Sequence, residues 1–225
     1  VDSHFANANG LPDDDHYTSP YDLAMIGRAF FANETLCKMS VTPVLSVEKK
    51  TGTYLDANQT RLLPGKEYEY PYLLGCKTGY TDIARYTLVS CAEKNGMKLI
   101  CVVMRDENPD YYQDTITLLD YGFSNFEKVN ISETETKYNI NNAGTFYSNI
   151  DIFGSSKSIL SINPEDYVIL PKTADFADTQ SAISYDTGND SRIATITYSY
   201  HDTYIGYASV ELDVNKGAAY SFDTA

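Results

Sequence analysis

Two apolar runs, residues 86–92 and 98–104, are separated by Glu93-Lys94-Asn95-Gly96. Asn-Gly accepts the positive φ that a two-residue hairpin turn demands, so the runs are expected to pair antiparallel. A third run, Tyr72-Leu73-Leu74-Gly75-Cys76-Lys77-Thr78-Gly79, precedes them and reads as a strand ending at glycine. Pro109 then opens a helix through about Tyr121, with Ile116 and Leu119 on its inner side and Gly122 as its C-cap. Upstream, residues 18–32 read as a helix capped by Thr18 or Ser19, with Tyr21, Ala24, Met25 and Ala29 recurring on one side. Residues 44–63 alternate loosely around Lys50-Thr51-Gly52, which reads as a hairpin turn.

After Phe126 the texture changes, with Ser, Thr, Asn, Asp and Tyr dominating and no further cysteine. Short alternating runs at 146–152, 167–170, 193–198 and 205–210 are separated by turn residues. The expected class is therefore α+β: an antiparallel sheet with helices over residues 1–126, then a small all-β, sandwich-like domain over 127–225. The formal charge of −14 divides as 11 basic against 17 acidic residues in the first part and 6 against 14 in the second. Such a balance, without a Lys/Arg cluster, argues against nucleic acid and against an anionic membrane surface. No apolar run reaches the roughly 18–20 residues of a membrane span. Twenty tyrosines beside no tryptophan is an unusual aromatic balance to which composition assigns no role.

Cys37, Cys76, Cys91 and Cys101 form no Cys-x-x-Cys pair, which argues against a zinc site. Cys76, Cys91 and Cys101 lie in apolar strand-like runs and read as small buried hydrophobes, with a Cys91–Cys101 disulfide between neighbouring strands left open. No metal and no cofactor is expected. Asp13-Asp14-Asp15 lacks the alternation and closing Glu of a calcium loop and reads as an exposed acidic loop. His4 and His16 read as structural hydrogen-bonding residues near a loop-to-helix junction, and His201-Asp202 as a solvated turn.

Lys77-Thr78-Gly79 is the one chemically suggestive cluster. A lysine and a threonine hydroxyl hold a carboxylate, while glycine leaves room for a peptide beside the strand. The tripeptide alone is weak, because Lys50-Thr51-Gly52 repeats it in a turn.

Four segments in order give the second copy its context: His4-Phe5-Ala6-Asn7-Ala8-Asn9-Gly10-Leu11 leading to His16-Tyr17-Thr18-Ser19; Tyr21-Asp22-Leu23-Ala24-Met25-Ile26; Gly75-Cys76-Lys77-Thr78-Gly79-Tyr80-Thr81; and Leu118-Leu119-Asp120-Tyr121-Gly122-Phe123. With them the chain resembles the penicillin-binding D-alanyl-D-alanine carboxypeptidases of the bacterial cell envelope. The resemblance covers residues 1–126, and the remainder matches in pattern the all-β domain that follows the catalytic domain in many members. It implies serine acyl transfer on a peptidoglycan stem peptide ending in D-Ala-D-Ala, with β-lactams bound by the intact enzyme. Lys77 would supply positive charge and relay protons, and Thr78 would bind the terminal carboxylate. Gly79 would allow strand-like docking, and the Tyr80 backbone N–H would be an oxyanion donor.

The family's nucleophile motifs, S-x-x-K and S-x-N, are expected to precede Val1, so the chain reads as beginning in mid-domain and as inactive alone. Ser46-Val47-Glu48-Lys49 fits S-x-x-K but sits in a β-like stretch, and Ser161-Ile162-Asn163 fits S-x-N but lies in the β region before a turn-forming proline. Both are read as decoys. Arg85 stands where the family usually has glycine, and Tyr111 stands near the place of a basic residue before the last helix. No basic amphipathic helix ends the sequence at Ala225. Two other readings remain: a non-catalytic envelope module that positions a partner or murein, and a related serine β-lactamase.

Overall fold

The computed structural model of the chain describes residues 2–138, 140, 160–185 and 192–212. The chain forms two compact units, Val1–Ser124 and Asn125–Ala225. The expected strand at 146–152 lies outside the described residues.

The first unit opens with a loop closed by reciprocal backbone bonds of 2.9 Å between His4 and Tyr17. Helix α1 (Pro20–Ala32) follows, capped by the Ser19 hydroxyl, which accepts from Asp22 N–H. Helix α2 (Glu34–Ser40) is capped in the same way by Asn33. Strands β1 (Val44–Lys49) and β2 (Gly52–Ala57) form a separate hairpin. Strands β3 (Leu73–Thr81), β4 (Arg85–Lys94) and β5 (Met97–Asp106) make an antiparallel meander in the order β3-β4-β5. Asn95 and Gly96, at φ +53° and +75°, close its second hairpin as the dipeptide predicts. Helix α3 (Asp110–Asn125) completes the unit.

Strand alternation places the helices. On α1, Gly27 lies against Val89 and Ile100, while on α3 Gly122 lies against Leu99. Leu99 and Ile100 are neighbours on β5, so α1 and α3 cover opposite faces of the sheet. Between them β4 is deeply buried, with Leu88, Ser90 and Ala92 all at 0% exposure.

One local expectation is corrected. Gly122 is not a C-cap: α3 runs on to Asn125. A Cβ at Gly122 would lie 2.5 Å from Leu99 Cδ1, so the glycine allows close helix–sheet packing. The Tyr21/Met25 side of α1 faces outward, with exposures of 73% and 38%, while Asp22 and Gly27 are the buried positions. Asp22 accepts from Asp2 N–H at 2.6 Å and Ser3 Oγ–H at 2.7 Å, and these bonds, the Ser3 hydroxyl foremost, hold its carboxyl below the ordinary aspartate range.

The tyrosines acquire a role here. Five rings form a continuous series, Tyr80–Tyr86–Tyr111–Tyr112–Tyr68, with successive centroids 4.6, 5.1, 4.0 and 5.3 Å apart. Contacts of this kind add about 0.5–1.5 kcal/mol each beyond simple burial. The series ties the start of α3 to the end of the β3–β4 hairpin.

Register removes the Cys91–Cys101 disulfide. Cys101 lies opposite Ser90, and Cys91 opposite Ile100, so the two thiols project from opposite faces. All four cysteines are free.

In the second unit, β6 (Phe126–Asn130) leads into the short helix α4 (Ile131–Thr134). Strands β7 (Leu160–Ile162), β8 (Tyr167–Pro171), β9 (Gln180–Tyr185), β10 (Arg192–Tyr200) and β11 (Thr203–Leu212) join β6 in one antiparallel sheet. Its order is β6-β8-β11-β10-β9, with β7 also on β11. Ile131, Val168, Leu170, Ile196 and Ala208, each at 0% exposure, form its core. Buried Glu135 accepts from the Lys137 and Tyr138 backbone N–H groups and from the Tyr198 hydroxyl. His201 and Asp202, at φ +47° and +62°, make the exposed β10–β11 turn.

Candidate active site

A cleft of about 790 Å³ opens in the first unit among β3, α1 and the loop that precedes α1. Residues Lys77, Thr78, Gly79, Tyr80 and Thr81 of β3 all line it. Phe5, Leu11, Ile26, Phe30, Ile83 and Met104 supply apolar wall, and Asp13 and Arg105 add charge.

The sequence explains this arrangement locally. Among the described residues β3 pairs only with β4, so its other side is open along the Lys-Thr-Gly stretch. Lys77 lies opposite Val89, Thr78 opposite Leu88 and Gly79 opposite Thr87. Lys77 is exposed, and its ammonium donates to the Thr78 carbonyl O. Gly79 has a steric reason: a Cβ there would lie 2.7 Å from Thr87 Oγ1, the atom that donates to Gly79 O at 3.2 Å. Half-exposed Tyr80 donates to Asp82 Oδ1 at 3.1 Å, a bond that raises its phenol above the ordinary range.

The hairpin beyond the motif turns at Asp82-Ile83-Ala84, with Thr81 Oγ1 accepting from Ala84 N–H at 3.0 Å. Arg85 closes it at φ +56°, a left-handed conformation that favours glycine. Its guanidinium is tied to Glu107 at 2.8 and 3.2 Å and lies 5.9 Å from the Tyr80 ring centroid. A second arginine, Arg105, also adopts φ +56°, at an irregularity in the β4–β5 register.

On the other wall, Asn7 Oδ1 accepts from Gly10 and Leu11 N–H at 2.9 and 3.2 Å and shapes the loop. His4 Nδ1–H donates to Asp15 O at 2.6 Å, and His16 Nδ1 accepts from Ala6 N–H at 3.2 Å. Both imidazoles are thus engaged by backbone. Asp13 Oδ1 accepts from Asp15 N–H at 2.9 Å, and no metal-holding cluster occurs among the described residues.

The two motif decoys lie elsewhere. Ser46 is on β1 opposite Leu55, and Lys49 opposite Gly52. The pair thus sits on a strand, not on the helical turn that brings the Ser and Lys of S-x-x-K onto one face. Ser161 lies in the middle of β7, while Asn163 donates to Glu211 Oε1 at 2.9 Å and accepts from Glu165 N–H at 2.9 Å as a turn residue. Tyr111, near the place of the family's basic residue, is buried in the tyrosine series. Arg105 and Asp13 went unnoticed as cleft residues in the sequence, because positive φ at an arginine leaves no pattern signal.

An antiparallel sheet with a Lys-Thr-Gly strand open on one side, a helix on each face and a separate β unit define a DD-peptidase-like α+β protein. Residues 1–108 match the model of the D-alanyl-D-alanine carboxypeptidase family. DacB2 of Mycobacterium tuberculosis, a D-alanyl-D-alanine carboxypeptidase, is 32% identical over 128 residues, covering 54% of this chain and 43% of that protein. DacF of Bacillus subtilis, of the same description, is 33% identical over 136 residues, covering 55% of this chain and 31% of its own. The chain thus spans less than half the length of these relatives. The structure of the carboxypeptidase DacD from Francisella tularensis shares the fold at TM-score 0.55 and 20% identity, over 93% of this chain and 63% of that one. No described helix is long and apolar enough to cross a membrane.

Proposed function

We propose that this chain supplies the Lys-Thr-Gly side of a serine-type D-Ala-D-Ala carboxypeptidase that trims peptidoglycan stem peptides in the bacterial cell envelope. The observation that carries the reading is the exposed Lys77 on an open strand that lines a cleft, inside the segment matched to the family. In this reading residues 1–126 are the later part of a catalytic domain and 127–225 an accompanying β module.

A serine hydroxyl attacks the D-Ala-D-Ala carbonyl, its proton passes to the departing amine, D-alanine leaves, and water hydrolyses the ester. Lys77 contributes positive charge and proton relay, Thr78 binds the terminal carboxylate, and Gly79 admits the peptide against β3. The Tyr80 N–H stabilises the oxyanion. Ser46 does not supply the nucleophile in this reading, since it lies on a strand of a hairpin and not at a helix start. In this reading β-lactams acylate the complete enzyme at a serine other than Ser46.

The test has two arms. Labelled penicillin is expected to leave this chain unmarked, and covalent label on Ser46 overturns that expectation. The complete protein is expected to release D-alanine from diacetyl-Lys-D-Ala-D-Ala, and no release removes the carboxypeptidase assignment.

A further inference from the structure

We propose that Arg105 is a specificity-determining residue that engages a second carboxylate of the peptide substrate, carried on a side chain, while Thr78 binds the terminal one. The inference rests on the peptidase reading and names the substrate class it favours.

Arg105 and Lys77 are the cationic side chains of one cleft whose walls are largely apolar. Among the described residues the Arg105 guanidinium has neither hydrogen bond nor ion pair, although the residue carries a backbone conformation costly to an arginine. Left-handed φ at a non-glycine residue costs about 1–2 kcal/mol and, when unexplained by packing, marks functional positions. Its origin is visible in the ladder. Tyr86 pairs with Asp106 and Leu88 with Val103, so Met104 and Arg105 together face Thr87, as in a bulge. Bulges re-aim side chains beside active sites.

Arg85 provides an internal contrast. It shares φ +56°, yet its guanidinium is held by Glu107 and Tyr80, so it is not offered to a ligand. The one acid lining the cleft, Asp13, is turned to its own loop by Asp15 N–H at 2.9 Å. A chain of net charge −14 repels anions at long range, so a carboxylate needs a dedicated local partner. The guanidinium fork matches a carboxylate in two parallel bonds, and apolar walls strengthen that pairing. With Thr78 taking the terminal carboxylate and Lys77 the proton relay, the Arg105 guanidinium is left for a second negative group.

The test uses the 225-residue chain with labelled arginine side chains, titrated by NMR. Two probes are compared: acetyl-L-2-aminoadipyl-D-Ala-D-Ala, which ends its side chain in a carboxylate, and diacetyl-L-lysyl-D-Ala-D-Ala, which is neutral there. The acidic probe is expected to shift the Arg105 Nε–H resonance and bind about tenfold more tightly. Arg105→Gln should abolish that ratio while leaving the neutral probe unaffected. Arg105→Gly, which relaxes the backbone and so preserves folding, should do the same. Equal affinities, a ratio that survives both variants, or binding of neither probe overturns the inference. Release of D-alanine by the complete protein in that event keeps the peptidase reading, and its absence there removes both.

Discussion

The chain carries Lys-Thr-Gly twice, and the two copies differ in everything except sequence. Lys50-Thr51-Gly52 spans the β1–β2 turn, where Gly52 sits at φ +124° with open space around its absent side chain. Lys77-Thr78-Gly79 lies within β3, where Gly79 is pressed by Thr87 and the lysine stands over a cleft. The first glycine is required by a dihedral and the second by a neighbour. A tripeptide becomes a candidate site through the strand, partner and opening around it.

The largest expected effect separates the copies by activity. In the complete protein Lys77→Ala should lower D-alanine release by about 100-fold or more, while Lys50→Ala stays within about twofold. Equal losses would erase the distinction. Stability is next. Gly79→Val should cost about 1–3 kcal/mol through overpacking against Thr87, and Gly52→Ala about 1 kcal/mol through its dihedral alone. Urea unfolding monitored on the first unit measures both, and a larger loss at Gly52 would reverse the steric argument.

Solvent access around β3 gives a smaller contrast. Burial pushes the Cys91 and Cys101 thiols up to about 11 and raises Cys76 and Cys37 as well, but Cys37 alone is half-buried and open to reagent. Alkylation needs the thiolate, so at pH 8 Cys37 should react with iodoacetamide first, and the strand thiols should gain rate as pH rises toward 11. Mass mapping in which Cys91 leads at pH 8 would show the strand face to be open. The smallest effect belongs to the exposed Arg85–Glu107 pair: Glu107→Gln should lower stability by no more than about 1 kcal/mol in a thermal melt.

Legibility in the sequence follows how local each determinant is. Asn95-Gly96 specifies its hairpin through two residues, and the Ser19 cap with Pro20 announces α1. Gly122 was misleading because terminating glycines and tight-packing glycines look alike in one dimension, and only Leu99, 23 positions earlier, tells them apart. Which side of α1 faces inward is not legible for a related reason, since its buried positions are an aspartate and a glycine rather than apolar residues. Helix α2 escaped notice at seven residues, although Asn33-Glu34 is a start signal. In the candidate site the Lys-Thr-Gly strand was readable. Arg105 was not, because its place depends on a register irregularity between two strands.

The open side of β3 also bears on solubility. A strand paired on one side offers unsatisfied backbone groups to any other extended chain, including a second copy of itself, and is a starting point for aggregation. An exposed lysine midway along such a strand opposes that outcome, since stacking two copies would bring like charges together. A neutral side chain in place of Lys77 is therefore expected to make concentrated protein self-associate.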